Sequence, residues 1–314
     1  MAVLSASSKR VCVVGASTYV GIWIVKGLLL RGYTVHAATF QHGGGESETA
    51  RKLIEMGRGN EGLKLFAADV LDYHSIVDAL EGCCGLFYAF DQIQNASGYD
   101  ERMVKVEVRG AHNVLEACAQ TETIKKVVFT SCLSAVIWRG DKKSTEDLDE
   151  RFWSDEGYCR EIKLWYALAK TLAEKAAWAL AMDRELNMVT INAALIVGPG
   201  FSTHNSASTL AYLKGAAQMY EDGVLASVDV RYVADAHICV FEDPSSYGRH
   251  ICFNQIVNCA QHAVDLAKSL RPLVTLPESW EDSRVYPQRL SNIKLSKLMV
   301  GIECQTMKLD GSQF

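Results

Sequence analysis

No run of lysine and arginine longer than two occurs in the 314 residues, and the net charge is −5 with a pI near 5.9. Phosphate binding needs a basic face, so nucleic acid is not expected as the main partner. Long apolar runs are missing too. The longest near-apolar stretches, Val20–Leu30 and Val189–Val197, are too short to span a bilayer, so no membrane partner is expected. The first strand candidate begins at about Val11 and leaves no room for a signal peptide. There is no internal repeat or low-complexity tract, and Gly43–Glu46 is the one early loop-like cluster. The ten cysteines lack metal-ligand spacing, the vicinal Cys83-Cys84 included, so no metal is expected. Cys12, Cys118, Cys239 and Cys252 sit inside apolar runs, where free thiols behave as small hydrophobes. A reducing, cytoplasmic protein of enzyme size is the expectation.

Hydrophobic residues make up 49% and charged ones 22%, enough to bury a substantial core. Short apolar runs alternate with helix-period segments: RVCVVGA (10–16), TVHAATF (34–40), LKLFAADV (63–70), GLFYAF (85–90), KVVFTSC (126–132) and NMVTINAALIVGP (187–199), with Val20–Arg31 and Val104–Gln120 among the helices between them. This rhythm predicts an α/β fold, a doubly wound parallel sheet with right-handed crossovers. It fades after Gly198-Pro199-Gly200. We therefore expect a dinucleotide-binding domain over 8–198 and a smaller C-terminal substrate lobe over 199–314. A return segment near 226–242 reads as a strand followed by a helix and would rejoin the first lobe.

VCVVGASTYVGIWIV (11–25) is a strand, a Gly-containing turn and an amphipathic helix in succession. Gly15 permits the tight turn and Gly21 close helix–strand packing. Ser17, Thr18, Tyr19 and Val20 lie between them, where backbone amides and a helix N-terminus would meet a pyrophosphate. Thr18 stands where a G-x-x-G-x-x-G turn carries its middle glycine, and it brings a hydroxyl donor. Asp69, followed by Val70 at the end of the third strand, reads either as an acceptor for an adenine amino group or as a helix N-terminal residue. The second strand ends Ala38-Thr39-Phe40-Gln41-His42, with neither the acid expected for NAD nor the arginine expected for NADP at Phe40. Arg51 and Lys52 follow in the next helix.

LWYALAK (164–170) carries Tyr166 and Lys170 at i and i+4, one face of a helix. An adjacent ammonium favours the phenolate, which would lower the tyrosine from its usual value near ~10. With these residues in view, the chain resembles the extended short-chain dehydrogenases, specifically the plant cinnamoyl-CoA reductase and dihydroflavonol reductase group. The resemblance rests on VCVVGAS, GYTV (32–35), NVLEACA (113–119), KVVFTS (126–131), FWSDEGYC (152–159), YALAKTLAEKAAW (166–178), IVGPG (196–200) and YGRHICF (247–253). It implies a Rossmann-type fold, NADP(H) rather than NAD(H), and a Ser–Tyr–Lys triad that reduces a carbonyl of a phenylpropanoid-like, aromatic substrate. Tyr166 and Lys170 match that triad, with Lys170 also binding nicotinamide ribose hydroxyls. The triad serine falls on Cys132, after Ser131, so these two are the candidate helpers at the carbonyl oxygen. The family's cations for NADP fall on Phe40 and Glu46 and its substrate-lobe histidine on Ala211, although its lysine three residues later is kept as Lys214. These departures support a rival reading, a catalytically weak dinucleotide-binding protein with a binding or signalling role.

Overall fold

The computed structural model describes residues 9–40, 48–91, 99–140, 146–200, 206–271 and 283–300. Gln41, His42 and Gly43–Glu46, including the position of the family's second cation, lie outside these.

Seven short segments pair in parallel into one sheet. They are β1 (Arg10–Val14), β2 (Thr34–Thr39), β3 (Leu63–Ala67), β4 (Gly85–Tyr88), β5 (Lys126–Cys132), β6 (Met188–Ala193) and β9 (Gly248–Cys252), in the order β3-β2-β1-β4-β5-β6-β9. A smaller sheet joins β7 (Leu195–Val197), β8 (Ala226–Asp229) and β10 (Gln255–Ile256) in the order β10-β8-β7. The expected doubly wound sheet is thus present. Its order reverses between β1 and β4, and ligands of such sheets bind outside the carboxyl ends of the strands at that reversal.

Side-chain alternation along the strands splits the interior into two cores. Val11 and Val13 of β1, Phe87 of β4 and Val128 of β5 face one core, with Ile22, Trp23 and Leu28 of α1 (Tyr19–Leu30). Cys12, Val14, Leu86, Tyr88, Val127 and Phe129 face the other. That second core is covered by α3 (Tyr73–Leu80), α4 (Glu101–Ala119) and α6 (Trp165–Asp183). Burial on both faces is why the central strands read as continuous apolar runs. The edge strand β3, in contrast, exposes Lys64, Leu65 and Ala67.

Of the segment 226–242, α9 (Val230–Glu242) packs against α1, β5 and β6, whereas β8 sits in the three-stranded sheet. The strand that enters the large sheet from beyond residue 199 is β9, for which no strand was expected. Its Arg249 and His250 hide the pattern, since both are charged or polar yet buried. Arg249 is neutralised by Glu174 on α6, and His250 meets Ser246.

Candidate active site

The turn after β1 is held at the reversal point by backbone. Gly15 N and Ala16 N both donate to Ala38 O, at 3.0 and 3.1 Å. Gly15 has φ +82°, and a Cβ there would come within 2.6 Å of Ala89 O, so the turn requires glycine. At Gly21 an added Cβ would collide with Gly15 O. Thr18 caps α1, accepting from Gly21 N at 3.0 Å. Its hydroxyl lies 2.8 Å from Gly15 O and 2.9 Å from Ala89 O. Its one proton is therefore engaged by carbonyls of the turn and of the chain after β4, rather than held out as the expected donor to a ligand. Ser17 and Val20 are half-buried on either side, and the Tyr19 hydroxyl donates to Pro199 O at 3.1 Å, tying the turn to the segment after β7.

At the ends of the next two strands, Phe40 is half-buried, and Asp69 combines a half-buried side chain with a local role. Asp69 Oδ1 accepts from Leu71 N at 2.8 Å, and its backbone N donates to Ser75 Oγ at 3.0 Å. The cap of α3 itself is Asp72, not Asp69. Val70 is buried against α4, where it meets Gly110. Arg51 and Lys52 lie on α2 (Glu48–Gly57).

On α6, Tyr166 is half-buried and Lys170 buried, with Lys170 Nζ 5.5 Å from the Tyr166 ring centre. The Cys132 thiol at the end of β5 lies beside Tyr166, and its sulfur accepts from Ser134 N at 3.4 Å. Burial pushes the thiol up, against the opposing influence of Ser134, Tyr166 and Lys170. The fold thus brings Tyr166, Lys170 and Cys132 together, but not Ser131. Alternation turns Ser131 to the other face of β5, where its hydroxyl donates to Glu174 at 2.6 Å inside a buried network.

The electrostatics around Tyr166 run opposite to the expectation of a lowered phenol. Lys170 Nζ donates to Glu107 Oε1 at 3.0 Å and Oε2 at 3.2 Å, and lies 3.5 Å from Asp91 Oδ1. Tyr99 donates to the same Glu107 at 2.5 Å and meets Tyr166 edge-on, ring centres 5.0 Å apart. Burial, then Cys132, Asp91 and Glu107, push the Tyr166 phenol well above its ordinary value. Glu107 and Asp91 hold Lys170 above its own, against desolvation. Asp91, Tyr99 and Glu107 were not anticipated, nor was Tyr212 on α7 (Ser206–Leu213), whose buried phenol lies near Cys132. One signal was available: Glu107 interrupts the buried stripe Val104–Ala111–Val114–Cys118 of α4, where a charge needs a partner. Beside Tyr212, Ala211 carries no titratable group, and Lys214 donates to Lys163 O at 2.9 Å.

Residues 12–247 match the 3-beta hydroxysteroid dehydrogenase/isomerase family. The chain belongs to that family. Among its relatives is cinnamoyl-CoA reductase 1 of Petunia hybrida, 35% identical over 97% of this chain and 90% of the relative. The crystal structure of vestitone reductase from alfalfa (Medicago sativa) superposes with a TM-score of 0.69 at 28% identity, covering 94% of this chain and 93% of that one. The yeast methylglyoxal/isovaleraldehyde reductase complexed with NADPH shares the fold, with a TM-score of 0.72 at 20% identity, over 94% of this chain and 93% of that one.

A dinucleotide fits what this member of the 3-beta hydroxysteroid dehydrogenase/isomerase family offers at the reversal point. The glycine turn keeps side chains out of the backbone approach between β1 and β4, and α1 presents its positive end there. No metal-ligand cluster occurs among the described residues, and no helix among them is long and apolar enough to cross a membrane.

Proposed function

We propose that this protein is an NADPH-dependent reductase that acts on the carbonyl of a phenylpropanoid aldehyde, ketone or CoA thioester, with Tyr166 as proton donor. The reading is supported by the convergence of Tyr166, Lys170 and Cys132 beside the carboxyl end of β5, next to a dinucleotide turn, in a chain related to cinnamoyl-CoA reductases. Gly15, Ser17, Tyr19, Val20 and Gly21 would hold the pyrophosphate. Phe40, Asp69 and Val70 would line the adenosine, Arg51 or Lys52 of α2 would meet a 2′-phosphate, and Lys170 would face the nicotinamide ribose. When bound, NADPH supplies hydride to the carbonyl carbon. The C=O electron pair then moves to oxygen, where the Tyr166 O–H donates its proton, and the Cys132 thiol assists weakly as a poor donor. The small sheet with α7 and its neighbours would form the substrate lobe.

A second reading, a dinucleotide-binding protein with little turnover, is favoured by Thr18 filling the turn and by the hold of Glu107 and Asp91 on Lys170. Fluorescence titration with NADPH and NADH, followed by cofactor oxidation with hydroxycinnamaldehydes and their CoA esters, separates the two. Binding with turnover supports the reductase. Binding without turnover on any carbonyl supports the second reading, and no binding removes both.

A further inference from the structure

We propose that Glu107, acting through Lys170, keeps Tyr166 in its protonated form, and is therefore a positioning residue that biases the site toward donating a proton rather than taking one. The consequence for catalysis rests on the reductase reading above; the effect on the phenol does not.

Two helices, α4 and α6, meet here beside the ends of β4 and β5. Glu107 is 1% exposed, on the face of α4 that packs against α6. A carboxylate there needs a partner, and Lys170 gives it two hydrogen bonds. An ammonium has three protons. Two serve Glu107, and Asp91, in the segment after β4, forms a second ion pair with Lys170 at 3.5 Å. Two carboxylates thus share one cation, and the trio carries a net charge of −1.

The other titratable groups facing it from the packed elements are Tyr88 of β4, Tyr99 beside the start of α4, Cys132 of β5 and Tyr166 of α6. All are acids or neutral, so Lys170 is the cluster's one cation among the described residues. An isolated Tyr–Lys pair favours the phenolate, because deprotonation leaves a neutral pair. Here deprotonation would add a second negative charge to a buried anion. Burial, Cys132, Asp91 and Glu107 all act on the phenol in that same upward direction.

During reduction the phenolic O–H bond breaks, its proton goes to the oxygen that gained the carbonyl electron pair, and the phenolate left behind is quickly reprotonated from solvent. In the reverse direction a protonated Tyr166 is too weak a base to accept the alcohol proton, which only the phenolate can take. The alcohol oxidation profile should therefore rise only at high pH.

The test uses Glu107→Gln, which keeps the shape and an acceptor for Tyr99, and Asp91→Asn, whose side chain is 36% exposed and tolerates change better. The first readout needs no cofactor or substrate: ultraviolet difference titration of tyrosinate in each protein, with Tyr166→Phe in the same background subtracted. In the parent, Tyr166 should add no phenolate signal below alkaline unfolding. In Glu107→Gln the signal should appear before unfolding, shifted by about one pH unit or more, and in Asp91→Asn by less. The second readout is the alkaline limb of kcat/KM for carbonyl reduction, which should move down in the same order.

A Tyr166 signal and an alkaline limb identical to the parent in both variants would overturn the proposal. If Glu107→Gln does not fold, Asp91→Asn decides alone by the same criterion. If no carbonyl is turned over, the reductase reading falls while the titration still decides the role of Glu107.

Discussion

Glu107 and Glu174 are both buried carboxylates on the packed faces of neighbouring helices, and they meet opposite surroundings. Glu174 is fully compensated. It accepts from Arg249 Nε at 2.7 Å, Asn192 Nδ2 at 2.7 Å and Ser131 Oγ at 2.6 Å. The same guanidinium stacks 3.7 Å over Trp153 and donates to the carbonyls of Glu150 and Phe152. One acid, one cation and two neutral donors balance within the network. Glu107 instead shares its cation with Asp91 and accepts from Tyr99, whose ring meets Tyr166 edge-on. The first arrangement joins α6, β5, β6 and β9 into one body. The second leaves an excess charge beside a phenol. The lesson is that a buried acid becomes a chemical lever only where its neighbours leave the charge unbalanced.

That contrast can be broken most forcefully at Glu174. Replacing it by Gln strands a buried Arg249 charge, a loss of about 3–5 kcal/mol in this class of change. Denaturant unfolding of Glu174→Gln measures it, and a loss below about 1 kcal/mol would mean that the network relaxes to satisfy the arginine.

The next largest effect belongs to the other cluster and should leave stability alone. Tyr166→Phe keeps the ring against Tyr99 and removes the proton donor, so kcat should fall by about 10² or more, with NADPH affinity and Tm little changed. A variant that keeps most of its turnover on the best carbonyl substrate would remove Tyr166 from the catalytic role.

The adjacent pair Ser131 and Cys132 sharpens the comparison, because alternation assigns one residue to each cluster. Ser131→Ala deletes a hydrogen bond to a charged group, about 1.5–3 kcal/mol of stability, and kcat should hardly move. A large drop in kcat without loss of stability would reverse the assignment of these two positions.

The smallest effect is a gain. Cys132→Ser replaces a weak donor by a stronger one beside Tyr166, and kcat should rise about tenfold, a fraction of the 10² or so that a good oxyanion donor contributes. Equal or lower turnover, with Tm unchanged, would show that residue 132 has no part at the carbonyl oxygen.

Much of this molecule is legible in its sequence. The strands β1, β2, β4, β5 and β6 are legible because a parallel sheet buried on both faces needs continuous apolar runs, whereas the edge strand β3 is read from its place in the strand–helix rhythm. The turn at Gly15 was visible because only glycine takes its φ, and Tyr166 and Lys170 because a helix places i and i+4 on one face. All of these are local rules, operating within a few residues. What local rules cannot reach is the partner of a charge. β9 escaped notice because Arg249 reads as a surface residue until Glu174, 75 positions earlier, neutralises it. The hydroxyl of Thr18 looked available until Ala89, 71 positions away, took it. Lys170 looked like the cation that would ionise Tyr166, and spacing alone supports that. Whether it does is settled by a carboxylate 63 positions away, and α4 meets Lys170 only when both helices pack on the same face of the sheet. The apolar runs, the glycine turn and the i, i+4 pair are properties of neighbouring residues; the sign of the field around that pair follows from how the helices pack, because Coulomb energies depend on distances that no spacing along the chain encodes.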